Sequence, residues 1–333
     1  MPGILDLDIK PQQPAAETPA EHVAITNTTT PSTETPSKVY PNGVRNGREL
    51  LKIENLNLTL GKSNDNKTDI LKNVNATIYD RIVPGETRGQ IVGILGPSGV
   101  GKTKLFECIS GLRLAADTNA DSKFNKQEGS VHILDRNESG LVPVEPGRVG
   151  VVMQQYPLFE WRTVGGNLMV ALEGKKLSKE EKLAKVHDIL KNFKMEDKFS
   201  VYPNSLSGGQ RQRVAIAQQL LSSGHFLLMD EPFSGLDIIM IAEVLRVIKQ
   251  VADMHEYNTI IVVSHDIEST ASIADTLWIL GRDHDEKGLP VPGASIKYQY
   301  DLVGMDLAYH SQIQNIPAFR DLKREIVSKF PTL

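Results

Sequence analysis

Two kinds of hydrophobic pattern occur along this chain, and each predicts a different kind of β-strand. In Leu51–Leu56 and Val74–Ile78, apolar residues alternate with polar ones, which is typical of strands that bury one face in an antiparallel sheet. Four later segments are almost continuously apolar, as strands are when both of their faces are buried. They are Gln90–Leu95, Val149–Met153, Phe226–Met229 and Thr259–Val263. Together, the patterns predict an α/β fold with a mostly parallel sheet and an antiparallel β layer at its edge.

Helical periodicity appears between the second and third apolar runs. Ser178 and Glu181 have the spacing of a helix-capping box, and apolar residues then recur at helical intervals. Those apolar residues are Leu183, Val186, Leu190 and Phe193. We therefore expect an inserted helical subdomain at about residues 157–222.

The last part of the chain predicts one more strand and one more helix. Pro290 and Pro292 precede a strand-like segment, Ser295–Tyr300. Pro317 suits the first turn of a helix, and the apolar residues that follow it share one face. They are Phe319, Leu322, Ile326 and Phe330. Residues 289–333 are therefore expected to form an extension whose final helix packs onto its own domain.

The first 46 residues have a different composition. They carry seven of the 18 prolines and many threonines, and Tyr40 is their only aromatic residue. Such a segment cannot bury enough apolar surface to offset the entropy lost on ordering. We therefore predict a disordered tail over residues 1–46 and a folded domain over residues 47–288.

Bulk composition excludes several classes of protein. A formal net charge of -4 argues against nucleic-acid binding, which requires a basic face. No apolar run reaches the roughly 18 residues of a membrane-spanning helix, and the first residues lack the pattern of a secretory signal. The one cysteine, Cys108, fits a reducing compartment and is expected to be a core residue.

A phosphate-binding loop follows the first apolar run. The glycines of this loop let backbone N–H groups turn toward phosphate oxygens, and the helix that follows adds a favourable field for an anion. Lys102 is expected to contact the β- and γ-phosphates, and the Thr103 hydroxyl is expected to bind Mg²⁺. The loop consists of Gly96, Pro97, Ser98, Gly99, Val100, Gly101, Lys102 and Thr103.

Two adjacent carboxylates end the third apolar run. Asp230 and Glu231 follow Phe226–Met229, so they are expected at the carboxyl edge of the sheet, where ligands of open α/β sheets bind. Asp230 is expected to hold Mg²⁺, and Glu231 is expected to orient or deprotonate the attacking water. With the phosphate loop, this pair predicts a P-loop NTPase core.

The segment Leu206–Arg213 carries a third motif, which narrows the family. Its Leu-Ser-Gly-Gly-Gln sequence resembles the signature of the ABC ATPase family. Ser207, Gly208, Gly209 and Gln210 form another glycine-rich helix start that suits a phosphate. The resemblance implies that this start closes over the γ-phosphate of ATP bound by the opposite subunit. Two copies, or one copy and a paralogous cassette, are then expected to enclose two ATP molecules head to tail.

Further residues match family motifs in the same order, over roughly Leu50 to Leu280. The resemblance implies that Gln154 joins Mg²⁺ and senses a membrane partner, and that Asp237 crosses the dimer interface. It also implies that His265 contacts the γ-phosphate. One position departs from the family, because Leu60 stands where an aromatic residue stacks on adenine. The contact with the base is therefore left open.

These motifs predict the ATP-hydrolysing subunit of an ABC transporter, on the cytoplasmic face of the membrane. Expected partners are integral-membrane permease subunits and, indirectly, a solute-binding protein. Three segments are similar to the nitrate, sulfonate and taurine class of import ATPases, which implies import of a small anion. They are Tyr156–Val164, Asp230–Asp237 and Pro292–Ile296. An exporter cassette and a soluble ABC ATPase stay open as alternatives, while Leu206–Gln210 argues against a kinase-type P-loop enzyme.

Overall fold

The fold contains two β-sheets with different strand directions. The computed structural model describes residues 38–333 apart from 64–65, 87, 113–124, 136, 138, 154–156 and 311. Within the described residues, one sheet has four strands in the order β2-β1-β4-β5, and the other has six in the order β10-β9-β3-β8-β7-β6. The α/β fold with an antiparallel layer is therefore confirmed.

The six-stranded sheet carries the parallel core. Its strands are β3 (Gln90–Leu95), β6 (Gly150–Val152), β7 (Phe226–Asp230), β8 (Thr259–Val263), β9 (Thr276–Gly281) and β10 (Ser295–Asp301). The pairs β3–β8, β3–β9, β7–β8 and β6–β7 are parallel, and β10 pairs antiparallel with β9. All four apolar runs became strands of this sheet. The strand β9 was not predicted, although Leu277–Leu280 is as apolar as the other runs.

The four-stranded sheet is antiparallel throughout. It consists of β1 (Arg45–Ser63), β2 (Asn66–Ile82), β4 (Lys126–Leu134) and β5 (Leu141–Pro143). The apolar residues Leu51, Leu56 and Val74 are fully buried, whereas Asn55 and Asn75 between them are not. The alternating pattern therefore predicted both the strands and their buried face correctly.

Helices connect and cover the strands. They are α1 (Lys102–Ser110), α2 (Val164–Val170), α3 (Lys179–Asn192), α4 (Gly208–Ser222), α5 (Ile238–Ala252), α6 (Ile267–Ala271) and α7 (Pro317–Lys329). The predicted capping box is present, since Ser178 accepts from the Glu181 N–H and the Glu181 carboxylate accepts from the Ser178 N–H. Leu183 is 38% exposed, so the buried face of α3 is narrower than its sequence pattern indicates. Within the described part of the chain, no helix combines the length and apolar character needed to cross a membrane.

Both ends of the described chain contribute to one buried cluster. Tyr40 and Val44 are buried with α7 and with residues of β9, and the Tyr40 hydroxyl donates to the Asp301 carboxylate over 2.7 Å. The tail boundary predicted at residue 46 is therefore wrong for Lys38–Asn46, because an aromatic ring and a buried hydrogen bond hold this segment in place. The rest of the predicted tail lies outside the described residues.

Candidate functional site

The phosphate loop lies at the carboxyl end of β3. Gly99 has φ +75° and Gly101 has φ +123°, which are conformations that residues with a side chain rarely adopt. Directly after them, α1 begins without a hydrogen bond from a capping side chain. The N–H groups of its first turn are therefore available to an anion, and the helix dipole favours negative charge at this end.

Lys102 places a buried cation inside this loop. Its side chain is 7% exposed, and its ammonium group donates to the carbonyl oxygens of Gly96 (2.8 Å) and Pro97 (3.1 Å). Burial lowers the pKa of Lys102, while the carboxylates of Glu231 and Asp230 act in the opposite direction. The two hydrogen bonds hold the cation against the loop, where it would neutralise a bound phosphate group.

Glu231 is held by contacts with the strand beside it. Its φ of +48° is unusual for a residue with a side chain, and such strain is concentrated at functional sites. The Glu231 N–H donates to the Val263 carbonyl over 2.8 Å, which fixes the turn after β7. One carboxylate oxygen then accepts from the Ser264 hydroxyl (3.2 Å) and pairs with His265 Nδ1 (2.8 Å). The sheet thus joins the predicted base and the predicted switch histidine directly.

Asp230 and Thr103 fit the requirements of a magnesium ion. Burial raises the pKa of Asp230, the charge of Glu231 raises it further, and Lys102 opposes both effects. The Thr103 side chain is exposed at the start of α1. Mg²⁺ is typically held by one or two carboxylates together with substrate phosphates and water, so one carboxylate and one hydroxyl beside a phosphate loop suit it. The third predicted ligand, Gln154, lies outside the described residues.

The signature motif forms a different helix start. Ser207 caps α4 by accepting from the Gln210 N–H (3.3 Å), and the Gln210 side chain accepts from the Ser207 N–H (3.0 Å). Ser207 and Gly208 are exposed, and Gly209 and Gln210 are partly buried. Asp237 caps α5 in the same way, by accepting from the Met240 N–H over 2.8 Å. In the described part of the chain, no hydrogen bond links Ser207–Gln210 to the phosphate loop.

The structure adds residues that the motifs did not reveal. Ser264 contacts Glu231, Ile70 lies beside Gly101, and the Arg282 guanidinium donates to the Gly99 carbonyl over 2.8 Å. Leu60 is partly buried and packs against the same core cluster as Ile70. One sequence signal could have located Arg282, because it directly follows the apolar run that forms β9. No sequence pattern of their own marks Ser264 or Ile70; in the folded chain, each is merely next to a residue that the motifs identify.

Comparisons with known proteins identify the family. A sequence model of the family described as ABC transporter matches residues 85–234. The arginine transport ATP-binding protein ArtM of Bacillus subtilis is 33% identical over 235 residues, which cover 69% of this chain and 87% of ArtM. The L-cystine import ATP-binding protein TcyC of the same species is 34% identical over 249 residues, which cover 72% of this chain and 91% of TcyC.

Solved structures share the fold. The structure of cbiO1 from Clostridium perfringens, described as part of the ABC transporter complex cbiONQ, matches with a TM-score of 0.59 and 23% identity. That match covers 85% of this chain and 96% of cbiO1. A dimeric post-hydrolysis structure of the ATP-binding cassette MJ0796, bound to ADP and Pi, matches with a TM-score of 0.51 and 25% identity over 76% of this chain and 99% of its own. This chain has the phosphate loop and the signature motif, and it is similar to ArtM and TcyC along most of their length. It therefore belongs to the ABC transporter family of ATP-binding ATPases.

Proposed function

We propose that this chain is the ATP-hydrolysing subunit of an ABC importer and that Glu231 is its general base. The observation that carries this proposal is the position of the Glu231 carboxylate. It pairs with His265, lies next to Asp230 and interacts electrostatically with the cation of the phosphate loop. A base in this position is within reach of a water molecule that attacks the terminal phosphate.

Each residue of the site has a separate proposed role in ATP hydrolysis. The loop Gly96–Thr103 binds the phosphates through backbone N–H groups, and Lys102 neutralises the β- and γ-phosphates. Glu231 accepts the proton of the attacking water, and the bond between the γ-phosphorus and the bridging oxygen breaks to leave ADP and phosphate. His265 orients Glu231 and contacts the γ-phosphate. Thr103, Asp230 and Gln154 hold Mg²⁺, which supplies charge neutralisation when it is bound.

The exposed signature motif supports a composite site. In the helix start formed by Ser207, Gly208, Gly209 and Gln210, the first two residues are exposed and the other two are partly exposed; Asp237 is exposed at another helix start. We infer that a second copy or a paralogous cassette covers both, so that Ser207–Gln210 act on the ATP of the opposite subunit. The dimeric structure of MJ0796 supports this arrangement.

An exposed aromatic pair supports a membrane partner. Trp161 is 74% exposed and Phe159 is 37% exposed, and their ring centroids lie 5.3 Å apart. Both follow Gln154 closely in sequence, and the neighbouring Glu160 is paired with Arg211. We infer that this surface receives a short helix of a permease at the cytoplasmic face of the membrane.

The names of the relatives support the proposal of import, but they do not identify the transported solute. ArtM is named for arginine and TcyC for L-cystine, although their identities to this chain are nearly the same. Similarity at this level therefore does not select one solute. It also gives no specific support to nitrate, sulfonate or taurine, so a small anion is left as the sequence-based prediction. A solute-binding protein is expected in the same importer.

Glu231→Gln tests the proposed chemistry. The amide keeps the shape of the carboxylate but cannot accept the proton, so ATP hydrolysis should fall by about 10²- to 10⁴-fold. Binding of ATP should persist, and ATP should drive the variant into a dimer that gel filtration detects. Glu145→Gln is the matched control, because Glu145 is 61% exposed and its ion pair is with the nearby Arg148 on the surface. Near wild-type hydrolysis by Glu231→Gln would remove this residue from the mechanism.

A further inference from the structure

Arg282 contacts the phosphate loop from a neighbouring strand. It directly follows β9, and its guanidinium Nη2 donates to the Gly99 carbonyl oxygen over 2.8 Å. This contact joins residues 183 positions apart in the chain. Within the described residues the buried Arg282 Nε has no hydrogen-bond partner, so the bond from Nη2 to the loop is the polar contact of this guanidinium that the structure shows.

The register of the sheet explains why Arg282 reaches this loop. β9 runs parallel to β3, with Leu95 opposite Ile279. Both strands therefore end at the same edge, and the loop after β3 lies beside the residues after β9. A β-carbon at Gly96 would lie 2.5 Å from the Leu280 carbonyl oxygen, which shows how closely the two backbones approach.

The C-terminal segment holds Arg282 in turn. The Arg282 N–H donates to the Leu333 carbonyl over 2.8 Å. Leu333 is buried, and a β-carbon at Gly281 would lie only 2.6 Å from its Cδ2. Leu95, the last residue before the phosphate loop, lies in the same apolar cluster as Leu333 and the buried face of α7. The extension thus shares a hydrophobic cluster with the residue that leads into the loop, and it also contacts Arg282.

We propose that Arg282 is a positioning residue for the phosphate loop and that Leu333 holds it in place, so that the C-terminal segment contributes to nucleotide affinity. This inference rests on the proposed function, in which Gly96–Thr103 binds the phosphates of ATP. No atom of Arg282 takes part in the chemical step. It acts on the loop through the Gly99 carbonyl.

The planarity of the peptide bond explains how this contact acts. The carbonyl of Gly99 and the N–H of Val100 belong to one peptide group and point in opposite directions. A charged donor that fixes the carbonyl outside the loop therefore directs the Val100 N–H to the other side. That N–H makes only a long contact, 3.4 Å to the Pro97 carbonyl. A phosphate oxygen is a stronger acceptor and displaces this contact readily.

Steady-state kinetics and calorimetry on Arg282→Met test the proposal. Methionine fills much of the same volume without a donor, so the KM for MgATP should rise about three- to tenfold while kcat stays within about twofold. The dissociation constants of ATP and ADP should rise by the same factor. Arg282→Lys keeps a cationic donor of similar reach and should recover part of the affinity. If Arg282→Met does not fold, Arg282→Gln takes its place.

Lys297→Met is the matched control. It removes one positive charge from β10, next to β9, where Lys297 pairs with Asp283 at 2.6 Å. In the part of the chain that the structure describes, no hydrogen bond or ion pair joins Lys297 to the loop. Its KM should stay within about twofold of the wild-type value. Leu333→Ala should raise KM in the same direction as Arg282→Met, by a smaller factor, and should add little in the Arg282→Met background.

Three results would overturn the inference: an unchanged KM in Arg282→Met, an equal rise in Lys297→Met, or no recovery in Arg282→Lys. The same assay separates this failure from a failure of the proposed function. If the wild type and Lys297→Met do not hydrolyse ATP, the proposed function is wrong whatever Arg282 does. If both hydrolyse ATP normally and Arg282→Met does too, only the role of Arg282 is wrong.

Discussion

Two glycine-rich helix starts, at α1 and at α4, were both predicted to bind phosphate, and they are built differently. The start of α1 uses glycines at φ +75° and +123° and has no capping side chain. The start of α4 is closed by the reciprocal hydrogen bonds of Ser207 and Gln210. Lys102, Asp230 and Glu231 interact around the first start, whereas Ser207 and Gly208 of the second are exposed.

This difference indicates what each start requires from outside the chain. At α1, the unpaired N–H groups and the buried ammonium of Lys102 already favour an anion. At α4, one N–H is satisfied by Ser207, and no charged partner is hydrogen-bonded to Ser207 within the described residues. We therefore expect the first start to hold the phosphates of a nucleotide in the separate chain. The second start stabilises its own helix, and we expect it to become part of a site only when another molecule brings a phosphate to it.

The largest expected effect in this comparison is a loss of ATP turnover, and it distinguishes the function of the α4 start from that of the α1 start. Ser207→Arg should reduce ATP turnover by about 10²-fold or more, since it removes a phosphate contact that acts in the transition state and places a bulky cation in the interface. ATP binding to the separate chain should be nearly unchanged, because the side-chain hydrogen bonds of Ser207 among the described residues are with Gln210 and not with the phosphate loop. Lys102→Ala should instead weaken ATP binding itself. ATPase assays and calorimetry on both variants measure these effects.

Mixing the two variants tests whether the second start acts on the other subunit. A mixed dimer of Ser207→Arg and Lys102→Ala contains one composite site with an intact loop and an intact signature motif. Part of the activity should therefore return. If mixed dimers form, as shown by crosslinking, and no activity returns, action between subunits is contradicted.

A smaller effect is expected from a methyl group at one glycine of each start. Gly101→Ala forces a β-carbon onto φ +123°, 3.3 Å from the Ile70 carbonyl oxygen. A cost of about 1–3 kcal/mol is typical of such strain, and if ATP binding has to supply it the affinity would fall about fivefold to about 150-fold. Gly209→Ala is the matched control, because no atom lies within 4 Å of its β-carbon position. Calorimetry on the separate chain should show unchanged ATP affinity for Gly209→Ala. If both variants lose ATP affinity equally, the proposed difference between the two helix starts is contradicted.

The smallest expected effect on ATP affinity concerns the adenine ring of the nucleotide that the start of α1 is proposed to bind. Leu60 lacks the π-face that an aromatic ring offers to adenine, so Leu60→Tyr should tighten ATP binding about tenfold, within the range of about 1–3 kcal/mol known for stacked bases. Inorganic triphosphate is the control ligand, because it engages the loop without a base and its affinity should not change. Equal affinity of Leu60→Tyr and the wild type for ATP would mean that another side chain covers the base.

Several elements were predictable because their signals are local. The capping box of Ser178 and Glu181 depends on residues three positions apart, and the buried faces of β1 and β2 follow from a period of two. The phosphate loop is equally local, since glycines and a lysine within eight residues define it. The first residue of α7, Pro317, also followed from its restricted backbone. In each case, backbone conformation and side-chain spacing act over one or two turns of chain.

The errors arose where residues far apart in sequence meet. Tyr40 was assigned to a disordered tail because its segment is rich in proline and threonine, yet its hydroxyl bonds Asp301 across 261 positions. Leu183 was assigned to the buried face of α3 by its spacing, yet the packing of neighbouring elements leaves it 38% exposed. Composition and periodicity indicate only how much of a segment is buried on average. They do not show which distant residues of the chain pack against it.

By itself, the sequence determined the α/β fold, the phosphate loop, the acidic pair after β7 and the signature motif, and through them the family. The tertiary structure alone decided that β7 and β8 are neighbours, which brings His265 to Glu231, and that β9 lies beside β3, which brings Arg282 to Gly99. The physical reason is the range of the interactions. Motifs are set by hydrogen bonds and torsion angles within a few residues, whereas the order of strands is set by the burial of apolar surface over the whole domain.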